Sequence, residues 1–403
     1  MTKAIEPAEA HSVATKPATQ QSATATEAVI DAPTTKTAQA AQGSKTLEPT
    51  DIVKNKALLG GYAYHIIRQQ SKQISKLRSQ VLADTDIEDL HEMRISSRRL
   101  RSALGIFSDV VEISSPNEKS GKKSGKKKAA KKGNNNNNLI KGLKDLTQTL
   151  GTVRDLDVMK QWFEDTIQAH QQAEVPPFSK AEKKEIKTLL KRLKKQRKKQ
   201  FSQLEEALKG NTHKKLVRQF KQWVKQPTFS ATAQQPADSA AAQKIIAPIT
   251  HLLAHPGWQM ATRKTTRQGQ VHYTPLAKIT LPQLNRHLKK EGESLHELRK
   301  QIKRVRYQTE FFRGIYGITY AAQIREFRTM QKILGQLQDQ IVISQFLTEE
   351  IGENWAEKLP TIDADFQQSR LAVWQQWQPY QQKYLKLAGN LPTSSSPAKT
   401  GAA

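Results

Sequence analysis

Two stretches of the sequence carry histidine, arginine and lysine at a spacing suited to anion binding. Residues 90–107 read LHEMRISSRRLRSALGIF, and residues 295–312 read LHELRKQIKRVRYQTEFF. If both stretches are helical, with about 100° between successive residues, their basic positions fall on one side of each helix. These positions are His91, Arg94, Arg98 and Arg101 in the first stretch and His296, Arg299, Lys303 and Arg306 in the second.

The basic stripe of each predicted helix adjoins its apolar stripe and does not lie opposite it. The apolar positions are Leu90, Met93, Leu100, Leu104 and Phe107 in the first copy and Leu295, Leu298, Val305 and Phe312 in the second. Cations in such a row repel one another, and a bound chain of phosphates would relieve that repulsion. The alternative is a pair of surface stripes neutralised by Glu92, Glu297 and other acids. Because the same offsets occur twice, we favour anion binding.

The catalytic motifs that these residues could belong to are incomplete. HEMR and HELR begin like the zinc-binding HExxH motif, but Ile95 and Lys300 replace the second histidine. There is no cysteine, Walker A loop, GxGxxG or GxSxG sequence. Asp155 and Asp157 could bind a metal, although a structural tie to Arg154 or to neighbouring helices is favoured. We therefore predict a non-enzymatic protein without metal or cofactor, in which each stripe histidine either donates to phosphate or packs in the interior.

A third cationic element is the predicted helix from Ser179 to Gly210, which contains KAEKKEIKTLLKRLKKQRKKQ. Arg197 falls in the middle of its apolar stripe, and a cation in such a place needs a partner. Two alternatives remain open for Arg197: pairing with Asp155 or Asp157 inside the protein, or contact with a polyanion in a groove.

The repeat indicates two similar helical halves. LGTVRDLDVM follows the first stretch and LGQLQDQIVI the second, with Gly151 and Gly335 at equivalent positions. The expected domain covers about 50–390, with its first half near 50–230 and its second near 240–390. Helical spacing of apolar residues predicts helices near 56–83, 86–112, 139–172, 179–209, 213–226, 240–255, 282–316, 320–350 and 363–390. A Lys/Gly/Asn-rich insert, 114–138, is predicted to be a disordered loop, and 255–280 a loop or a small hairpin.

Composition restricts the class of partner. The chain has 403 residues, 65 Lys and Arg against 37 Asp and Glu, and a formal net charge of +28, which suits phosphate polymers or an anionic surface. Absent cysteine fits a reducing cytoplasm, and no apolar run reaches the roughly 18 residues of a membrane span. The segments 1–49 and 391–403 are polar and are predicted to be disordered tails.

Nucleic acid is the alternative ligand that the charge allows. Nucleic-acid readers usually add aromatic platforms or a groove-entering motif, and Tyr307 is the one aromatic residue near a basic stripe. Phosphates without bases are therefore the favoured ligand, with DNA or RNA as a weaker polyanion. The sequence does not give the oligomeric state.

The doubled pattern, H-x-x-R-x-x-x-R-R-L-R and H-x-x-R-x-x-x-K-R-V-R, resembles that of the CHAD family, and LGTVRDLDVM resembles the family's L-G-x-x-R-D-x-D-V segment. The resemblance covers about 50–390. It implies two four-helix bundles around a basic central channel, binding of inorganic polyphosphate there, and association with polyphosphate granules in the cytoplasm. Residues matching the family motifs are His91, Arg94, Arg98, Arg99 and Arg101, and His296, Arg299, Lys303, Arg304 and Arg306.

This chain departs from the family pattern in three places. The Lys/Asn insert and the HPGW region are additions, and RDLD becomes QDQI in the second half. Some relatives carry a triphosphate-hydrolysing domain with an E-x-E-x-K strand. Here Glu291 and Glu293 are followed by Leu295 where the lysine is needed, so hydrolysis is not expected.

Overall fold

A computed structural model describes residues 47–113, 125–172, 177–267 and 270–389 of the chain. Over these residues it has eleven α-helices and one hairpin of two short strands. The helices are α1 (Pro49–Lys54), α2 (Leu59–Ala83), α3 (Ile87–Ile106), α4 (Gly125–Gln172), α5 (Lys180–Lys209), α6 (Asn211–Lys225), α7 (Ala237–Leu253), α8 (Leu281–Phe311), α9 (Ile318–Ile351), α10 (Trp355–Lys358) and α11 (Pro360–Gly389). The strands are β1 (Thr262–Arg267) and β2 (Gln270–Pro275), and 3₁₀ helices cover Ala231–Gln234 and Pro256–Gln259.

The predicted all-α fold is confirmed, and each of the nine predicted helices corresponds to an observed one. The prediction for α3 ran too far, because the helix ends at Ile106 and not near 112. The residues that follow bury Val110 and Val111 in a turn, and the Glu112 amide donates to the Thr228 carbonyl. The short helices α1 and α10 were not predicted, since six and four residues are too few to show a helical period.

Residues 125–138 correct the prediction of a disordered insert. Helix α4 begins at Gly125, so this part of the insert is helical. Lysine and alanine in KKKAAKK favour a helix, and the segment continues directly into the core-packed turn at Leu139. The rest of the insert, 114–124, lies outside the described residues, as do the predicted tails except for 47–49, where Pro49 begins α1.

The first half of the domain packs α2, α3, α4 and α5 against one another in chain order. The apolar stripe predicted for α3 is buried throughout and belongs to this core. Capping residues fix where the helices begin: the Asp86 carboxylate accepts from the Glu88 amide at the start of α3, and Ser179 and Glu182 form a capping box at the start of α5.

The second half packs α8 against α9 and α9 against α11. The HPGW segment completes this core: Trp258 is buried and stacks on Trp377 and Tyr384, with ring centroids 5.3 Å and 4.6 Å apart. A Cβ at Gly257 would lie 2.6 Å from the Leu298 Cβ, so glycine is required for this close approach to α8. The hairpin anticipated within 255–280 is present as β1 and β2, paired antiparallel.

A third core joins the two halves. It contains Phe163 of α4 and Leu189 of α5 together with Leu347 of α9 and Phe366 of α11. Polar contacts reinforce it, because the Glu182 carboxylate of α5 accepts from the Thr361 amide at 2.9 Å. The halves also meet through α3 and α8, the helices that carry the repeated motif. No helix among the described residues is long and apolar enough to cross a lipid bilayer.

Candidate functional site

The contact between α3 and α8 brings the two copies of the basic stripe together. Arg94 and Arg98 of α3 lie close to Arg299 and Lys303 of α8. Burial, together with repulsion within this group, lowers the pKa values of Arg98, Arg299 and Lys303. We call these four residues the central cluster. The sequence predicted both stripes, and the structure adds that they converge.

Lys303 shows how strongly the central cluster disfavours further positive charge. Burial, and then repulsion from Arg98, Arg299, Arg94 and Arg306, lowers the pKa of its ammonium group to about 6. Among the described residues, no carboxylate pairs with Lys303 or with Arg98. Glu92 and Glu297 have other partners, since Glu92 accepts from the Gln73 amide and Glu297 pairs with Lys300. Two other acids do act on the cluster: Asp155 accepts from Arg94, and Asp339 attracts Arg299 and Lys303.

Arg98 is held by an aromatic ring. Its guanidinium lies over the ring of Tyr307, 5.6 Å from the centroid, and Arg306 lies over the same ring at 4.4 Å. Burial lowers the pKa of Arg98, as do Arg94, Arg101 and Arg299. Tyr307 is only 8% exposed, so its ring positions the two arginines and offers no platform for a nucleic-acid base.

Arg94 and Arg299 pack against equivalent glycines in the two halves. Arg94 packs on Gly151, where an added Cβ would lie 3.3 Å from its Nε, and Arg299 packs on Gly335, where the Nη2 distance would be 3.5 Å. In both residues the Nε is buried without a hydrogen-bond partner. The L-G pair that follows each repeat therefore makes room for the arginine of that repeat.

Some arginines of the two repeats bind the Glu310 carboxylate, and others do not. Its carboxylate accepts from Arg99 of α3 at 2.9 Å, from Arg328 of α9 at 2.9 Å and from Arg306 of its own helix. Burial would raise the pKa of Glu310, but Arg306, Arg328 and Arg99 together lower it. Arg99 and Arg306 are thus neutralised internally. Their counterparts in the other repeat are Arg304 and Arg101, and neither forms an ion pair with Glu310. Burial, and then repulsion from Arg304, lowers the pKa of Arg101.

The two stripe histidines differ in their contacts. His296 Nδ1 lies 2.7 Å from the Gln338 Oε1. His91 Nδ1 is buried without a partner, and burial, then Arg154, lowers the pKa of His91.

Arg197 has internal partners. Its guanidinium donates to both carboxylate oxygens of Asp84 and, at 2.9 Å from Nε, to Asp157. These hydrogen bonds, first those to Asp84, raise the pKa of Arg197. Asp84 has a φ of 52° at the end of α2, a left-handed conformation that aspartate tolerates. The geometry supports internal pairing over a polyanion contact for Arg197.

The acids of RDLD bind arginines. Asp155 accepts from Arg94 at 3.2 Å, and Asp157 accepts from Arg197. Over the described ranges no group of three or more His, Asp or Glu residues could hold a metal ion.

Sequence reasoning missed Glu310, which is not repeated because Gly105 occupies the equivalent position. Tyr307 stood out only as an aromatic residue near the stripe.

Two solved structures and one family profile are similar to this chain. A crystal structure of the CHAD domain from the plant Ricinus communis is similar, with 20% sequence identity, a TM-score of 0.50, and coverage of 83% of this chain and 93% of that one. PptA from Streptomyces chartreusis matches with 13% identity, a TM-score of 0.49, and coverage of 82% and 99%. No curated protein sequence matches the chain. The family profile described as the CHAD domain matches residues 65–121 and 130–348, and the chain belongs to this family.

Proposed function

We propose that this chain binds inorganic polyphosphate through the central cluster and does not hydrolyse it. The observation that carries the proposal is the convergence of Arg94 and Arg98 with Arg299 and Lys303, where Lys303 has a pKa of about 6. The cluster offers donors with excess positive charge, and a phosphate chain offers only acceptors with negative charge. Binding of the chain would relieve the repulsion that the free protein contains.

Arg101, Arg304 and His296 would extend the contact beyond the four cluster residues. Arg99, Arg306 and Arg197 are tied to carboxylates and would act on the ligand more weakly. On this proposal the protein collects where the polymer collects, at polyphosphate granules in the cytoplasm. A fluorescent fusion of the full chain tests the location.

Competition between ligands tests the choice of polyphosphate over nucleic acid. Long-chain polyphosphate should displace single-stranded DNA of equal phosphate concentration at physiological salt, because Tyr307 is buried and gives unpaired bases no stacking surface. Fluorescence anisotropy of labelled DNA measures the displacement. Equal or tighter DNA binding would assign the cluster to nucleic acid, and phosphate release with Mg²⁺ or Mn²⁺ that a cluster variant abolishes would show turnover.

Paired double variants test whether both halves contribute. Arg94→Ala with Arg98→Ala, and separately Arg299→Ala with Lys303→Ala, should each weaken long-chain binding on the order of a hundredfold, since each charge-assisted contact contributes about 1.5–3 kcal/mol. The control is Lys183→Ala with Lys187→Ala, which removes two exposed charges on α5. If both cluster variants bind like the wild type, the repeated motif is structural.

A further inference from the structure

Helices α2 and α6 form a second cationic surface away from the central cluster. Of the eleven helices in the described part of the chain, these two contain no acidic residue. Their basic residues are Arg68, Lys72, Lys76 and Arg78 in α2 and Lys214, Lys215, Arg218, Lys221 and Lys225 in α6. An ordinary solvated surface mixes both signs of charge, and this one does not.

A groove of about 510 Å³ runs between the two helices. Its cations form one row on each wall: Arg68 and Lys72, four residues apart on α2, and Arg218, Lys221 and Lys225, at i, i+3 and i+7 on α6. Residues at these spacings share one face of a helix. The row on α6 extends for about 10 Å, since a helix rises about 1.5 Å per residue.

The five groove cations are exposed and take part in no ion pair within the described ranges. No acid is among the residues that surround the groove, and the residues of the central cluster are absent from it as well. The two serines of the groove donate to backbone carbonyls, Ser71 to Arg68 at 3.1 Å and Ser75 to Ser71 at 3.0 Å. Phe220, Gln222 and Val224 complete the lining. The charged groups of the groove are therefore all donors, and they stand beside apolar side chains.

Donors of this kind select a ligand that consists of acceptors. An extended acidic peptide brings backbone N–H donors that need acceptors, and the groove supplies few of them. A linear phosphate chain brings acceptors alone. We propose that the groove between α2 and α6 is a second binding site for a phosphate chain, separate from the central cluster. The ligand class is that of the proposed function, although the site has its own residues and its own test.

Two sites on one molecule would change how it handles long chains. A chain bound at the central cluster of one protein could also bind the groove of another, so long-chain polyphosphate would cross-link protein molecules. A short chain would occupy the sites independently. Stoichiometry with a short ligand is therefore the direct measure of the second site.

Titration calorimetry with tripolyphosphate at low salt tests the proposal. The groove variant is Lys72→Gln, Arg218→Gln and Lys221→Gln, and it should bind one fewer equivalent of tripolyphosphate than the wild type. With long chains, the slope of log K against the logarithm of salt concentration should become shallower by about 2. Each lost phosphate contact removes about 0.7 from the magnitude of this slope. The matched control, Lys183→Gln, Lys184→Gln and Lys187→Gln on α5, removes the same charge and should keep the wild-type stoichiometry.

A central variant separates this proposal from the proposed function. Arg98→Ala with Lys303→Ala should also lose one equivalent, and the combined variant should lose both. If the groove variant keeps the wild-type stoichiometry and salt slope, the second site is overturned, whatever the central variant does. If the groove variant loses binding of polyglutamate but not of tripolyphosphate, the groove is instead a site for acidic peptides. If the central variant alone binds like the wild type, the groove stands and the central cluster fails.

Discussion

Lys303 is the one residue of the central cluster whose charge can change near neutral pH, because its three neighbours there are arginines. It replaces the arginine found at the equivalent position of the first repeat, Arg98. Its pKa in the folded protein is about 6, against 10.5 for an ordinary lysine. The unfolded chain therefore binds more protons between these values, so the stability of the free protein rises with pH across this window.

Binding of polyphosphate should be coupled to proton uptake by Lys303. A phosphate chain favours the charged ammonium and raises its pKa, so the complex takes up a proton at neutral pH and affinity falls as pH rises from about 6. Titration calorimetry in buffers of different ionisation enthalpy measures the uptake. Long chains are the suitable ligand, because their terminal groups, which titrate in the same range, are few.

The control for this prediction is Lys303→Arg, which keeps the charge at every pH in the range. It should bind with similar affinity and lose most of the uptake and of the pH dependence. His91 and His296 are unchanged in the variant, so any protons they bind remain. Equal proton uptake by the wild type and Lys303→Arg would assign the coupling to the histidines.

The two glycines beneath Arg94 and Arg299 form a second test at this scale. Gly151→Ala places a Cβ 3.3 Å from the Arg94 Nε, which must move, whereas Gly335→Ala makes an ordinary contact with Arg299. Alanine in a helix interior gains up to about 1 kcal/mol over glycine. We expect Gly335→Ala to raise the melting temperature without loss of binding and Gly151→Ala to weaken polyphosphate binding several-fold. Identical behaviour of the two variants would show that the close fit at Gly151 is immaterial.

At the scale of elements, Glu310 links the helices that carry the site. Its side chain is 7% exposed and binds arginines of α3, α8 and α9. Glu310→Gln should lower the melting temperature clearly, because loss of one partner of a buried ion pair costs about 3–5 kcal/mol, less here since Arg99 and Arg328 reach solvent. Glu297→Gln is the control, because Glu297 pairs with Lys300 on the surface, where a pair contributes about 0–1 kcal/mol.

The pH dependence of that effect follows from the depressed pKa of Glu310. The stabilisation is complete above the ordinary value of 4.5 and is lost as the pH falls through the lower folded-state value. The difference in melting temperature between the wild type and Glu310→Gln should therefore shrink under acidic conditions. A difference that stays constant from neutral to acidic pH would show that Glu310 contributes by packing alone.

Helical periodicity predicted the long helices and the buried faces of α3 and α8, since both follow from spacing within one element. Contacts between helices were harder to predict from the sequence. The sequence offered Asp155 and Asp157 as partners of Arg197, but Asp84, which ends α2, is equally a partner. Glu310 could not be recognised, because its role depends on α3 and α9 approaching the same point of α8.

At the scale of the whole molecule, the two halves share a core as well as the site. Phe163 and Leu189 of the first half pack with Leu347 and Phe366 of the second, at a place separate from the contact between α3 and α8. Apolar packing at two separate places restrains the relative position of the two repeats. The spacing of the central cluster then depends on a core that contains none of the cluster residues.

The shared core should make the two halves unfold together. Trp223 lies in the core of the first half and Trp374 in that of the second, so variants that keep one of these tryptophans report on each half separately. Both reporters should show the same transition in urea.

Leu347→Ala, at a fully buried position of the shared core, should destabilise both halves by about 2–5 kcal/mol and either shift the common transition or split it. Leu337→Ala, buried in the second half alone, is the matched control and should leave the transitions coincident. Separate transitions in the wild-type protein would show that the halves are independent and that the shared core does not set the spacing of the cluster.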